Sequence, residues 1–256
     1  MKYLLLFMLM CNFALADDKL IYPYKSSFYL YDTRDIFQFS FRIKLLRTHL
    51  DEGKKNDLEG LFLGYTQLSY WKQGSVGNDN PYIYSNFNPE IHYRYKFNHP
   101  IGAMTNIQLG VEHQSDGLGK QFDLLHREWN RIYITPTFQF FDNRLNISTK
   151  FWYPDITPKY NADISKYMGY SEINFSTNIL STFWMPKTEV TFLKGTKMHL
   201  NDLSWCFENS IQIPAGYIHI STPLAFYTHW YRGYGESLKT YNKRTNNIRF
   251  GISLLL

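Results

Sequence analysis

Cysteine is nearly absent from this 256-residue chain, which holds only Cys11 and Cys206. Cys11 falls in an almost wholly apolar run, Leu4 to Phe13, that follows Lys2 and leads into Ala14-Leu15-Ala16. A basic start, an apolar stretch and an A-x-A site are the parts of a secretory signal, read here as residues 1–16 with cleavage ahead of Asp17. With Cys11 a passenger in that leader, the exported chain keeps Cys206 alone and an internal disulfide is excluded. Stability must then come from a large core or a closed sheet. Also missing, after the leader, is any run of about 18 consecutive apolar residues, so a transmembrane helix is excluded. Sustained helical periodicity is absent too. The formal net charge of +5 is small and scattered, which argues against nucleic acid as a partner. Repeats, low-complexity tracts and linkers are lacking, so residues 17–256 read as a single domain, with 17–34 (around Tyr22-Pro23-Tyr24) as an ordered extension before the first strand.

Aromatic residues, by contrast, are abundant: 18% of the chain, although its mean hydropathy is negative. Apolar and polar residues alternate with the two-residue period of strands. The sets are Phe37, Phe39, Phe41, Ile43 and Leu45; Leu61, Leu63 and Tyr65; Ile91, Tyr93, Tyr95 and Phe97; Ile107, Leu109 and Val111; and Ile132, Ile134 and Phe138. Leu145, Ile147, Phe151 and Tyr153 follow, then Ile173, Phe175 and Ile179, and finally Ile248, Phe250, Ile252, Leu254 and Leu256. Taken singly, each would serve a soluble sandwich equally well. Three features together favour an all-β, single antiparallel transmembrane β-barrel. Half of each strand would face lipid and half a polar interior, so the average hides the membrane. Trp71, Trp129, Trp152 and Trp230 would form aromatic girdles. Tight turns at 98–100 and 142–143 alternate with long polar loops at 47–59, 72–85, 116–129 and 154–166, the rhythm of periplasmic turns and outer loops. About eleven strands are legible by this pattern; one more, needed for even closure, falls within 182–242.

One stretch carries chemistry. In Ile107-Gln-Leu-Gly-Val-Glu-His113-Gln-Ser115, side chains two apart share a face, so His113 and Ser115 continue the apolar face of Leu109 and Val111. Asn130 shares its face with Ile132 and Ile134 on the following strand. The loop 116–129 would return the chain and bring the three together on the outer wall near the rim. A hydroxyl, an imidazole and an amide in contact form nucleophile, base and orienting acceptor. A site facing bilayer rather than pore has membrane lipid as its substrate. By itself H-x-S is a weak motif; a porin or adhesin barrel without catalysis would share every other feature, and a soluble secreted binding module is a second rival.

His113-Gln-Ser-Asp-Gly117 with Arg127-Glu-Trp-Asn-Arg131 resembles the H-Q-S-N-G and R-S-W-N-R signature of the outer-membrane phospholipase A family. Two further stretches, Asp163 to Tyr170 and Gly233 to Leu238 with Tyr241-Asn242 beyond, match in the same order. The resemblance spans roughly residues 20–256 and implies a twelve-stranded outer-membrane barrel. It also implies calcium-dependent hydrolysis of sn-1 and sn-2 acyl esters of phospholipids and of lysophospholipids, and activation as a homodimer. His113 would be the base, Ser115 the nucleophile and Asn130 the orienting residue. The family's calcium positions fall here on Leu118, His126 and Asp79. A ring nitrogen is a poor ligand for a hard ion, so Asp116 or Asp123 is an alternative source of oxygen. Calcium and a backbone N–H such as that of Gly117 would stabilise the oxyanion; Gly117 reads equally as a turn residue. Gln67 shares the face of Leu61, Leu63 and Tyr65, matches the family's dimer-contact glutamine, and is read as an interchain contact in lipid. The other reading points it into the lumen.

Overall fold

The computed structural model describes residues 21–32, 34–46, 59–72, 82–117, 126–154, 161–177, 186–193, 195, 203–213 and 224–254. The predicted leader, Asp79, Leu118 and Asp123 lie outside the described residues. Thirteen strand segments form one sheet: β1 Ile21–Pro23, β2 Ser27–Tyr31, β3 Arg34–Lys44, β4 Gly60–Lys72, β5 Tyr82–Ile101, β6 Met104–Ser115, β7 Glu128–Phe140, β8 Leu145–Pro154, β9 Ser171–Thr177, β10 Pro186–Leu193, β11 Ser204–Gln212, β12 Leu224–Gly233 and β13 Thr245–Leu254. From β3 onward each segment pairs antiparallel with the next, and β13 returns to β2, which pairs with β3. β1 and β2 lie against successive stretches of the same strand, Phe41–Ile43 and Ile36–Gln38, and so are two halves of one stave. The result is a closed twelve-stave barrel.

Residues 21–31 are therefore the first stave and not an extension ahead of it. Pro23, which has no N–H for the ladder, ends β1, and the chain breaks from regular pairing at Tyr24 to Ser26. There Tyr24 turns into the lumen, where its ring stacks on His92 at 5.2 Å and its hydroxyl accepts a hydrogen bond from Gln108 Nε2 at 3.0 Å. The first turn also differs from expectation. β5 runs on through Pro100 with an irregular register, and the reversal comes at Gly102–Ala103. The second lies where expected, with Phe141, Asp142 and Asn143 all at positive φ.

The range 182–242, expected to hold the strand that completes the count, holds three, β10, β11 and β12, and the stave at 21–31 adds another. On β11 the outward positions are Trp205, Phe207, Asn209 and Ile211, and an amide among them interrupts the apolar alternation. Asn209 Nδ2 is satisfied by Thr188 Oγ1 on β10 at 2.8 Å.

The barrel's polarity is inverted relative to a soluble protein. Leu63, Ile91, Leu109, Val111, Ile132, Phe226, Ile248 and Phe250 are exposed on the outer wall. The alternating positions bury Arg42, Glu90, His92, Glu112, Arg131, Lys150 and Arg249 in the lumen. An apolar exterior around a polar interior is the pattern of a membrane-spanning barrel. Buried charges require partners. Glu112 meets two, Arg131 Nε at 2.7 Å and Lys150 Nζ at 2.8 Å, across three adjacent staves. Glu112→Ala would leave both cations buried without their shared anion. We expect a loss of about 3–5 kcal/mol, measured as a lower denaturant midpoint for the refolded barrel. An unchanged midpoint would remove this ion triad from the determinants of stability.

Two of the four tryptophans expected in the girdles are elsewhere. Trp129 and Trp152 share a face with Arg131, Tyr133 and Lys150 and point inward, 1% and 5% exposed. Trp230 does lie outward. The inward pair anchors an apolar cluster with Ile164, Leu193, Leu238 and Tyr241, where a short helix, α1 Ile164–Met168, meets a 3-10 turn at Leu238–Thr240. The Asp163 to Tyr170 and Gly233 to Leu238 stretches are thus two halves of one plug. Tyr241 donates to the Asp163 carboxylate, and Trp152 Nε1 donates to the Gly169 carbonyl at 3.0 Å. Burial, reinforced by the Asp163 carboxylate, pushes the Tyr241 phenol's pKa up, so it remains a donor.

Candidate active site

β6 and β7 pair with His113 directly opposite Asn130 and Ser115 opposite Glu128. His113 and Ser115 follow Leu109 and Val111, 51% and 54% exposed, on the outer face; Asn130 precedes Ile132, 61% exposed. The expected shared face is therefore present. His113 Nδ1 lies 2.8 Å from Asn130 Oδ1. An amide oxygen only accepts, so the contact requires the proton on Nδ1 and leaves Nε2 as the basic nitrogen. This is the tautomer that a hydroxyl nucleophile two residues away on the same face needs. Beside the pair, a groove of about 580 Å³ runs along the wall between Ile91, Val111, Ile132 and Tyr153. Its apolar floor suits an extended hydrocarbon chain.

The lumen side holds this geometry in place. Asn88 Nδ2 donates to the His113 carbonyl at 2.9 Å and lies 3.4 Å from Glu112 Oε2. Gln114 Oε1 accepts from Trp129 Nε1 at 2.8 Å. Arg131, ion-paired to Glu112, also lies over the Trp129 ring at 4.0 Å. Residues alternating with the outer three thus tie β6 to β7 from behind, so the plane carrying the imidazole is braced by buried charge. None of these braces stood out in the sequence, where they are single polar residues between apolar ones; the two-residue period is the signal that would have found them.

At the rim, Asp116 follows Ser115 and Gly117 turns the chain at φ +70°. That conformation favours glycine, and a Cβ there would also meet the Phe87 ring at 2.4 Å. Phe87 is the register partner of Ser115 on β5, so the turn packs against the nucleophile's neighbour. Asp116 Oδ1 lies 2.9 Å from His126 Nδ1, and its Oδ2 accepts the Arg127 N–H at 3.0 Å. His126 Nε2 lies 3.1 Å from Glu128 Oε2. The two ring nitrogens of His126 both face carboxylates, so this residue is a strut across the loop and offers no free donor to a calcium ion. Asp116 is likewise occupied. Glu128 is different: one oxygen faces His126, but its side chain is 40% exposed, it stands opposite Ser115, and it offers a second carboxylate oxygen at the rim. Oxygen donors of this kind fit a hard divalent cation. Glu128 was not singled out from sequence, because only the strand register sets it beside Ser115.

Gln67 lies on the outward-facing parity of β4 with Leu63 and Tyr65. Its Oε1 accepts from Tyr65 OH at 2.9 Å, and its Nε2 donates to Ser69 Oγ at 2.9 Å. Each end of its amide thus makes one bond within its own wall, which leaves one N–H and one lone pair over.

The fold agrees with comparison to known proteins. The phospholipase A1 from Proteus vulgaris is 26% identical over 257 residues, covering 91% of this chain and 81% of that protein. The phospholipase A1 from Klebsiella pneumoniae is 26% identical, covering 93% and 82%. Among solved structures, outer membrane phospholipase A from Escherichia coli superposes with a TM-score of 0.73 at 22% identity, covering 91% of this chain and 98% of that one. The Salmonella typhi outer membrane phospholipase dimer with bound calcium gives 0.72 at 22%, covering 94% of each. A sequence model of phospholipase A1 matches residues 3–254, nearly the whole length, and the chain belongs to the phospholipase A1 family.

Proposed function

We propose that the protein is a calcium-dependent phospholipase of the bacterial outer membrane, exported by a cleaved leader. It hydrolyses the sn-1 and sn-2 acyl esters of phospholipids and the remaining ester of lysophospholipids. The observation that supports this most is the His113–Asn130 contact of 2.8 Å on the outer, apolar face that also carries Ser115. Asn130 holds the Nδ1–H tautomer. His113 Nε2 takes the proton of Ser115 Oγ as that oxygen attacks the ester carbonyl. The tetrahedral adduct collapses, His113 returns the proton to the departing alcohol, and the acyl group stays on Ser115. Water, activated by the same nitrogen, then releases the fatty acid. The groove between Ile91, Val111, Ile132 and Tyr153 receives the acyl chain, and its openness toward lipid lets substrate enter sideways from the bilayer.

An outer wall has no deep pocket of donors for the oxyanion. Bound calcium would supply that positive charge, held through Glu128 oxygen and the backbone carbonyl at Leu118, with the Gly117 N–H as a further donor. The direct test is fatty-acid release from a phospholipid whose two acyl chains differ, by the refolded protein in mixed micelles. Release of both chains, and of the chain of a lysophospholipid, is expected; release of neither would sink the reading.

Activity is expected to follow dimerisation, because one barrel supplies only half of a cleft. Across a detergent dilution series, acyl release and crosslinked dimer should fall together. Gln67→Ala should weaken association by roughly three- to twentyfold, the equivalent of the ~0.6–1.7 kcal/mol found for polar contacts in membranes. Activity that persists after the dimer has gone would refute the coupling. An unchanged dimer in Gln67→Ala would remove only that residue's part in it.

A further inference from the structure

Away from the outer wall, the lumen holds a cluster that hydrolysis does not use. Cys206 and Glu208 sit two apart on β11 and His229 is the register partner of Glu208 on β12, so all three project inward. Their donor atoms lie within 4.8 Å of one another, and Cys206 Sγ is 3.2 Å from His229 Nε2. We propose that Cys206, Glu208 and His229 form a binding site for a zinc-class divalent cation. The ion would bridge β11 and β12 through sulfur, carboxylate oxygen and imidazole nitrogen, with water in the fourth position.

Four observations carry this. The sulfur–nitrogen separation is close to the ~3.5 Å edge that zinc's bond lengths to thiolate and imidazole give in a tetrahedron. The carboxyl at the site lacks a paired cation among the described residues: Glu208 stands directly opposite Glu189 on β10, and no Lys or Arg forms an ion pair with it. The nearby cations are engaged elsewhere, Lys187 with Glu189 at 2.6 Å and Arg249 with Asp32 and Glu236. Tyr227 donates to one Glu208 oxygen, a hydrogen bond that brings no positive charge. Third, the imidazole is poorly satisfied as it stands. Among the described residues its Nε2 finds only the Cys206 sulfur, a weak partner, and the ring is walled by Phe28 at 6.0 Å and Tyr231 at 6.4 Å. A weak S–H contact is a meagre reason to bury such a ring, whereas coordination would use both the thiolate and the imidazole. Finally, the site can be reached: Glu208 lines a lumen cavity of about 550 Å³ with Glu189 and Lys187. The thiolate selects the metal. Soft and borderline ions such as zinc or cobalt take sulfur, while calcium and magnesium do not, so the site is separate from the calcium proposed at the rim.

The experiment uses the full exported chain, refolded in detergent, and needs no activity measurement. Titration with cobalt(II) should give a thiolate-to-cobalt charge-transfer absorption and tetrahedral visible bands that saturate at one ion per chain. Zinc should displace the signal stoichiometrically, and excess calcium should leave it unchanged. Cys206→Ser should abolish the charge-transfer absorption, and His229→Gln should weaken binding at least tenfold, the loss expected when a ligand-shell group goes. Folding is checked by the barrel's gel shift. If Cys206→Ser does not fold, loss of Cys206 alkylation in the zinc-loaded unmodified protein serves in its place. A folded chain that gives no cobalt spectrum, or one whose spectrum survives in Cys206→Ser, overturns the proposal.

Discussion

Ser115→Ala is expected to lower acyl release by roughly 10⁴- to 10⁶-fold, the range seen when a triad nucleophile is removed. Ser115 ends β6 on a half-buried outer position, and deleting one hydroxyl disturbs neither the ladder to β7 nor the lumen ion triad. Refolding yield and heat-modifiable mobility should therefore match the parent. His113→Ala should be equally damaging, and the double variant no worse than either, because base and nucleophile act as a unit. Asn130→Ala should be some ten- to a hundredfold milder, since an orienting acceptor is partly replaceable by water. An active-site sulfonyl fluoride should label Ser115 alone. Full turnover in Ser115→Ala would eliminate the triad and move the nucleophile to another residue.

Removing calcium should have a comparable effect. With chelator present, acyl release is expected to fall to the background of the Ser115→Ala protein, and added calcium should restore it. Magnesium should substitute poorly, because it demands a regular octahedron and gives up water reluctantly, whereas a rim site of carboxylate, carbonyl and water is irregular. Glu128→Gln should raise the calcium concentration needed for half-maximal rate while leaving the rate at saturation closer to the parent's. On the proposed arrangement the side chain would touch the ion and not the ester, so the effect would belong to metal affinity. Asp116→Asn addresses a different role: its two oxygens hold His126 and the Arg127 N–H, so its loss should loosen the loop. Undiminished hydrolysis in excess chelator would refute the metal's part, and a Glu128→Gln protein with unaltered calcium dependence would move the ligands to backbone oxygens.

The strand content and the outward face of the barrel were legible from the chain alone, because a two-residue period needs no tertiary information. Leu109, Val111 and Ile132 face outward as their alternation required, and the same parity placed His113, Ser115 and Asn130 on one wall. Where a polar residue occupies an outward position, as Asn209 does, the period falters and the strand is harder to read. Parity could also mislead when residue type was weighed above it: Trp129 and Trp152 were assigned to the girdles for being tryptophan, yet their neighbours Arg131 and Lys150 mark the inward face.

Pairing partners are another matter, since they depend on which strands meet and in what register. Only the closed sheet shows that residues 21–31 complete the first stave, that Glu112 joins Arg131 and Lys150, and that Glu128 stands opposite Ser115. The same holds for His126, whose nitrogens are taken by Asp116 and Glu128, and for the lumen trio, in which His229 comes from a different strand than Cys206 and Glu208. Local periodicity dictates which way a side chain points; contact between side chains is a property of the assembled sheet, because register is selected by burial summed over the whole barrel.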